Sequence, residues 1–234
     1  MTRLAALVVI SVTSLLACSD DTGGDVDAAV DAPTDVAIDV PDGPCGAGYQ
    51  MTGEYIDWDS TSGSFMGVPA TWTLTTPPGT TATGAPNGRI LICLPRSTVE
   101  LTATATGYVG ARFLADPAVL SVSGGIFSAR GLESADATAR YNTISNGLTF
   151  DTAAAHVFVY KRGAATALTL TGATASYVSD GDNDTSWTAG DTGTFTLFPN
   201  VPVGITGMAT LGGTFTGPTA IPLQANTFTI VPIS

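Results

Sequence analysis

The side chains able to do chemistry are few, and their spacing is the first thing to weigh. The segment Asp180-Gly-Asp-Asn-Asp-Thr-Ser-Trp-Thr-Ala-Gly-Asp191 places Asp180, Asp182, Asp184 and Asp191 at offsets 1, 3, 5 and 12, the spacing at which an EF-hand loop gathers oxygen ligands for calcium. Thr185 stands where such a loop needs glycine, Trp187 fills the eighth place, and the last ligand is Asp instead of a bidentate Glu. The expectation is therefore a solvated acidic hairpin loop, with a weak calcium site as the alternative. His156 is the one side chain that titrates near neutrality, and it opens the alternating run His156-Val-Phe-Val-Tyr-Lys161, where packing is expected rather than general-base catalysis. Asp57 and Asp59 are two apart and share a strand face. A glycosidase needs only such a carboxylate pair, but a solvated edge is the expected reading. Trp58, Trp72 and Trp187 are candidates for a sugar-stacking surface, against the commoner fate of tryptophan in a small β domain, which is the core.

Cysteine chemistry is limited to three residues. Cys45 and Cys93 suit a disulfide in an exported protein, and without converging histidines they make no credible zinc site. No G-x-S-x-G elbow, H-E-x-x-H pair or glycine-rich phosphate loop accompanies them. No catalytic residue and no cofactor are therefore expected, the weak calcium site aside. The balance of 20 acidic against 8 basic residues, net charge -12, excludes nucleic acid as a partner on electrostatic grounds.

Cys18 has a different setting. Arg3 supplies a positive start, residues 4–16 are apolar but too short for a membrane span, and Leu15-Leu16-Ala17-Cys18 follows. This segment resembles the lipobox of bacterial lipoproteins. The resemblance implies a signal peptide over residues 1–17, cleavage before Cys18, lipid on that cysteine, and a bilayer as partner. Ser19, not an acidic residue, follows Cys18, which points to outer-membrane sorting within the cell envelope. An ordinary secretory cleavage with Cys18 as bystander is the alternative.

Stepping inward, residues 18–44 form an acidic low-complexity tether. Asp20, Asp21, Asp25, Asp27, Asp31, Asp35, Asp39 and Asp42 alternate with Ala, Val, Gly and Pro, without an aromatic or basic residue. Such a stretch cannot build a core, and like-charge repulsion extends it.

From Cys45 onward the pattern is one of short alternating runs bounded by Gly, Pro, Asn and Ser. Tyr55-Ile-Asp-Trp58, Ala70-Thr-Trp-Thr-Leu-Thr75, Arg89-Ile-Leu-Ile-Cys-Leu94 and Thr98-Val-Glu-Leu-Thr-Ala-Thr-Ala105 read as strands of a first unit. Ala155-His-Val-Phe-Val-Tyr160, Leu168-Thr-Leu170, Thr174-Ala-Ser-Tyr-Val178, Gly193-Thr-Phe-Thr-Leu-Phe198, Gly204-Ile-Thr-Gly-Met-Ala-Thr-Leu211 and Phe228-Thr-Ile-Val231 read as a second. The order of elements recurs, which predicts two related all-β domains, 45–115 and 147–234. Between them, 116–146 is a connector. It holds a short helix starting near Ser134, with Ala137, Tyr141 and Ile144 on one stripe.

The run Gly172-Ala-Thr174, Thr188, Gly193-Thr-Phe-Thr-Leu-Phe-Pro-Asn-Val-Pro-Val-Gly204 resembles the prealbumin-like, carboxypeptidase-regulatory-like module, as do Gly88-Arg-Ile-Leu-Ile-Cys-Leu-Pro95 and Ala105-Thr-Gly-Tyr108 in the first unit. Ile90 and Ile92 replace the family's Phe in the first unit, and the second lacks the closing Gly-Tyr. The resemblance implies two small Greek-key β-sandwiches, usually noncatalytic. The function expected is a lipid-anchored scaffold that contacts an envelope protein. A carbohydrate-binding module, with a glycan as partner, is the first alternative and a carboxylate-dependent hydrolase the second.

Overall fold

The computed structural model describes residues 45, 48–59, 66–79, 81–117, 120, 126–179 and 186–234, and the alternation read from the sequence is realised over Thr71–Thr76, Arg89–Leu94 and Val99–Thr104. In chain order the strands are β1 (Tyr49–Asp57), β2 (Thr71–Thr76), β3 (Thr81–Thr83), β4 (Arg89–Leu94), β5 (Val99–Thr104), β6 (Gly110–Ala115) and β7 (Ile126–Gly131). After the helix α1 (Ala137–Ile144) come β8 (Ala155–Lys161), β9 (Thr166–Ala167), β10 (Thr169–Leu170), β11 (Tyr177–Ser179), β12 (Thr188–Ala189) and β13 (Thr192–Gly193). The series closes with β14 (Phe195–Val201), β15 (Met208–Gly212), β16 (Ala220–Pro222) and β17 (Thr227–Ile233). The protein is all-β, with one short helix among the described residues, arranged as two sandwich-like halves. Residues 1–44, including Cys18 and the acidic tether, lie outside the described residues.

The halves share a single nine-stranded sheet of order β12-β11-β14-β8-β17-β6-β5-β2-β3. Its middle is the parallel pair β8–β17, and β17 also pairs parallel with β6, so the last strand of the chain links the first half to the second. These central strands read as near-continuous apolar runs because both of their faces are covered. Phe158, Phe228 and Ile230 point into one core cluster with Trp72, Leu101 and Phe113, whereas Val157, Val159, Val231 and Ile233 point into another with Leu170, Leu211 and Ile221. The first cluster is closed by the small sheet β4-β1-β7 and the second by β10-β15-β16, on the opposite face. Each half is thus a two-layer sandwich, with the central sheet common to both.

Local chemistry explains the joins. Ile233 O accepts from Arg162 N on the β8 side, so by alternation Pro232 turns its nitrogen the other way. There β17's pairing with β6 has already ended at Ile230, and no ladder bond is lost. The β4-β1-β7 sheet closes tightly because Gly53 leaves room: a Cβ there would stand 2.5 Å from Phe127 Cζ and 2.8 Å from Ile90 Cγ1. In α1 the buried residues are Ala137, Tyr141 and Ile144, the expected stripe, although the N-cap is Asp136, which makes no side-chain capping bond.

Candidate functional site

The described chemistry gathers at the end of β1, beneath α1. A cavity of about 240 Å³ is lined by Asp57, Trp58, Asp59, Met66, Leu132, Glu133, Asp136 and Arg140. Asp57 ends β1, Asp59 follows in the turn, and α1 brings Arg140 across to pair with Asp59. The Tyr108 hydroxyl donates to Asp57 Oδ2 at 2.8 Å and lies 3.3 Å from Glu133 Oε1. Partial burial, the bond to Asp57 and the two negative charges push the Tyr108 phenol well above its ordinary range. Asp57 Oδ1 accepts from the Asp59 amide at 2.9 Å. Asp57 and Asp59 do meet at one cavity, as their spacing allowed, but each is engaged by a neighbour. Glu133 and Asp136 join them from a segment far along the chain, and no local pattern in the sequence marks that meeting.

His156 packs against Tyr141 of α1 and has no exposed surface. Its Nδ1 lies 2.8 Å from the Tyr141 hydroxyl and its Nε2 lies 3.1 Å from Asp151 O. Phe150 stacks on the ring at 4.0 Å between centroids and 14° between planes. Burial drives the imidazole pKa down to about 4, against a smaller upward pull from Asp151. At neutral pH the ring is therefore uncharged, walled in, and engaged through both nitrogens.

Cys45 and Cys93 form a disulfide, with Cα atoms 5.3 Å apart. It ties Cys45, ahead of β1, to β4, and Tyr49 and Leu94 are paired just beyond it. A second cavity, of about 270 Å³, is lined by Ile56, Ile126, Phe158, Tyr160, Phe195 and Ile230, with Arg130 and Arg162 also on its wall. Arg130 Nη1 donates to Trp58 O at 3.0 Å.

The three tryptophans do not form a common exposed face. Trp72 has no exposed surface and meets Tyr55 and Phe127 edge-on; Trp58 is 5% exposed and packs edge-on against Phe228. Trp187 is half-buried and stacks on Trp58 at 6.5 Å. These contacts hold the core, as aromatic edge-to-face pairs commonly do. Trp72, without exposed surface, offers no stacking face to a sugar, and Trp58 shows only 5% of its surface, at the wall of the cavity beneath α1. Of the acidic loop, Asp180, Asp182 and Asp184 lie outside the described residues; Asp191 Oδ1 accepts from the Thr192 hydroxyl at 2.9 Å. Among the described residues no group of three His, Cys, Asp or Glu side chains is placed to hold a metal ion, and no helix is long and apolar enough to cross a membrane.

No family model and no curated protein matches this chain. Among solved structures, the shaft pilin SpaA from Lactobacillus rhamnosus GG aligns over 80% of this chain and 97% of its own, at 9% identity and a TM-score of 0.26. The Bacillus anthracis TIE protein aligns over 79% of this chain and 34% of its own, at 11% identity and a TM-score of 0.25. GBS52, the minor pilin of Streptococcus agalactiae, aligns over 80% and 96%, at 11% identity and a TM-score of 0.21. Likenesses this distant carry no argument about what the chain does. The class that its own strands define is an all-β protein of two sandwich-like halves on one shared sheet.

Proposed function

We propose that this chain is a noncatalytic display module of the bacterial cell envelope, held to a bilayer through lipid on Cys18 and presented on the acidic segment 18–44 to contact another envelope protein. The observation that carries the reading is the Cys45–Cys93 disulfide. It suits an oxidising compartment, and it secures the point at which the tether enters the folded body. An extended, self-repelling segment gives reach, and the covalent tie keeps that entry point from fraying when the chain is pulled.

The side chains that a catalyst would use are committed to structure. His156 is a neutral, enclosed imidazole, and Asp57 and Asp59 are bound by Tyr108 and Arg140. The inward placement of Trp58 and Trp72 favours the scaffold over the carbohydrate-binding reading.

Fractionation of cells producing the full-length chain tests this. Wild-type protein is expected in the membrane pellet and released by detergent, and Cys18→Ser is expected in the soluble fraction with an unchanged melting profile. A soluble wild-type protein, or a Cys18→Ser variant that stays in the pellet, would overturn the lipid-anchored reading.

A further inference from the structure

His156 does more than fill space, because three separate segments are fastened through it. From α1, the Tyr141 hydroxyl reaches Nδ1 at 2.8 Å; from β14, the Asn200 backbone N–H points at the same nitrogen at 3.4 Å. A backbone N–H can only donate, so Nδ1 must present its lone pair and the proton must sit on Nε2, which donates to Asp151 O. Asn200, at φ 50° beside an irregularity in the β14–β8 pairing, clamps the same loop with its side chain. Its Nδ2 donates to Thr149 O at 2.8 Å and its Oδ1 accepts from Asp151 N at 3.0 Å. Phe150 and Phe228 both lie nearly parallel to the ring, at 4.0 and 6.5 Å between centroids, and Tyr141 meets it edge-on.

We infer that this arrangement is an acid-labile latch: protonation of His156 Nδ1 turns the shared acceptor into a donor, and α1 with the loop 145–154 is released while the central sheet stays folded. The groups facing the ring are Tyr141 from α1, Asp151 from the loop, Asn200 from β14 and Phe228 from β17. Asp151 supplies the one negative charge, and its Oδ1 already accepts from the Ala153 amide. Burial outweighs that charge, since the folded pKa is about 4 against 6.5 for the free side chain. The sign follows: the fold favours the neutral form, so the latch holds fully above pH 6.5 and weakens as pH falls towards 4. At pH 5 the opening equilibrium of this segment should exceed its pH 8 value by about 30-fold. Release would uncover the buried Tyr141 and Ile144 together with the part-buried Phe150.

Hydrogen exchange of the full-length protein at pH 8 and pH 5, corrected for the intrinsic pH dependence of amide exchange, reads the opening directly. Peptides covering 137–156 should lose protection by roughly that factor at pH 5 while β5 and β6 keep theirs, and His156→Gln should remove the pH dependence. Should the variant fail to fold, the wild-type His156 ring ¹⁵N shifts decide: an unprotonated Nδ1 down to about pH 4 is expected. Uniform loss of protection across the molecule, the same pH dependence in His156→Gln, or a ring titrating near 6.5 would overturn the latch.

Discussion

At the scale of single residues, two positions test whether the core is as closely fitted as its contacts imply. Gly53→Ala places a methyl group against Phe127 and Ile90, both buried, with the nearest approach at 2.5 Å. Overpacking of this kind costs about 1–3 kcal/mol, and urea denaturation should show a lower midpoint with an unchanged slope. Thr196 is the opposite case. Its hydroxyl is buried and has no hydrogen-bond partner among the described residues, so Thr196→Val removes an unmet polar group without a change of shape. Thermal melting should find the variant equal to the wild type or more stable by about 1 kcal/mol. Residue-level chemistry was partly legible in advance. Alternation around His156 predicts a packing role, and Cys45 and Cys93 suit a disulfide against the alternative of a buried free Cys93 with an exposed Cys45; the bond is present. The company of Asp57 and Asp59 is not legible: Tyr108 reaches Asp57 and Arg140 reaches Asp59 across long stretches of chain, and nothing local in the sequence encodes such a meeting.

At the scale of elements, the disulfide is the clearest lever. It closes a loop across a sequence separation of 48, for which chain entropy predicts stabilisation of about 4 kcal/mol. The double variant Cys45→Ser/Cys93→Ser should lower the unfolding free energy by up to that amount in chemical denaturation. Because the bond sits at the edge of β1 and β4, hydrogen exchange should rise first at Tyr49 and Leu94. Strand identity is legible wherever side chains alternate, as in β2, β4 and β5, whose burial patterns follow period two. It is less legible at Gly204–Leu211. There Gly204 and Gly207 take φ of 66° and 61°, and β15 begins only at Met208. The glycines spend their conformational freedom on a turn, which an alternating pattern running through them conceals. The run from Gly193 to Phe198 likewise divides between β13 and β14.

At the scale of the whole molecule, the shared sheet is what the sequence concealed. Two similar sets of strands predict two sandwich-like units, and two core clusters are present. Yet β17 lies between β6 and β8, and a parallel pairing over such separation leaves no trace in alternation. Since β8 and β17 contribute side chains to both clusters, the two halves should unfold together. Calorimetry should show one transition with equal calorimetric and van't Hoff enthalpies; two resolved transitions would mean that the halves are energetically separate.

The proposed anchoring rests on Cys18, to which eight aspartates lead back from Cys45. The most direct measurement is the intact mass, with N-terminal fragmentation, of the mature protein extracted from producing bacteria. The display reading predicts a chain that starts at Cys18 and carries the added mass of lipid on that residue. A mature chain that starts elsewhere, or an unmodified Cys18, would contradict it.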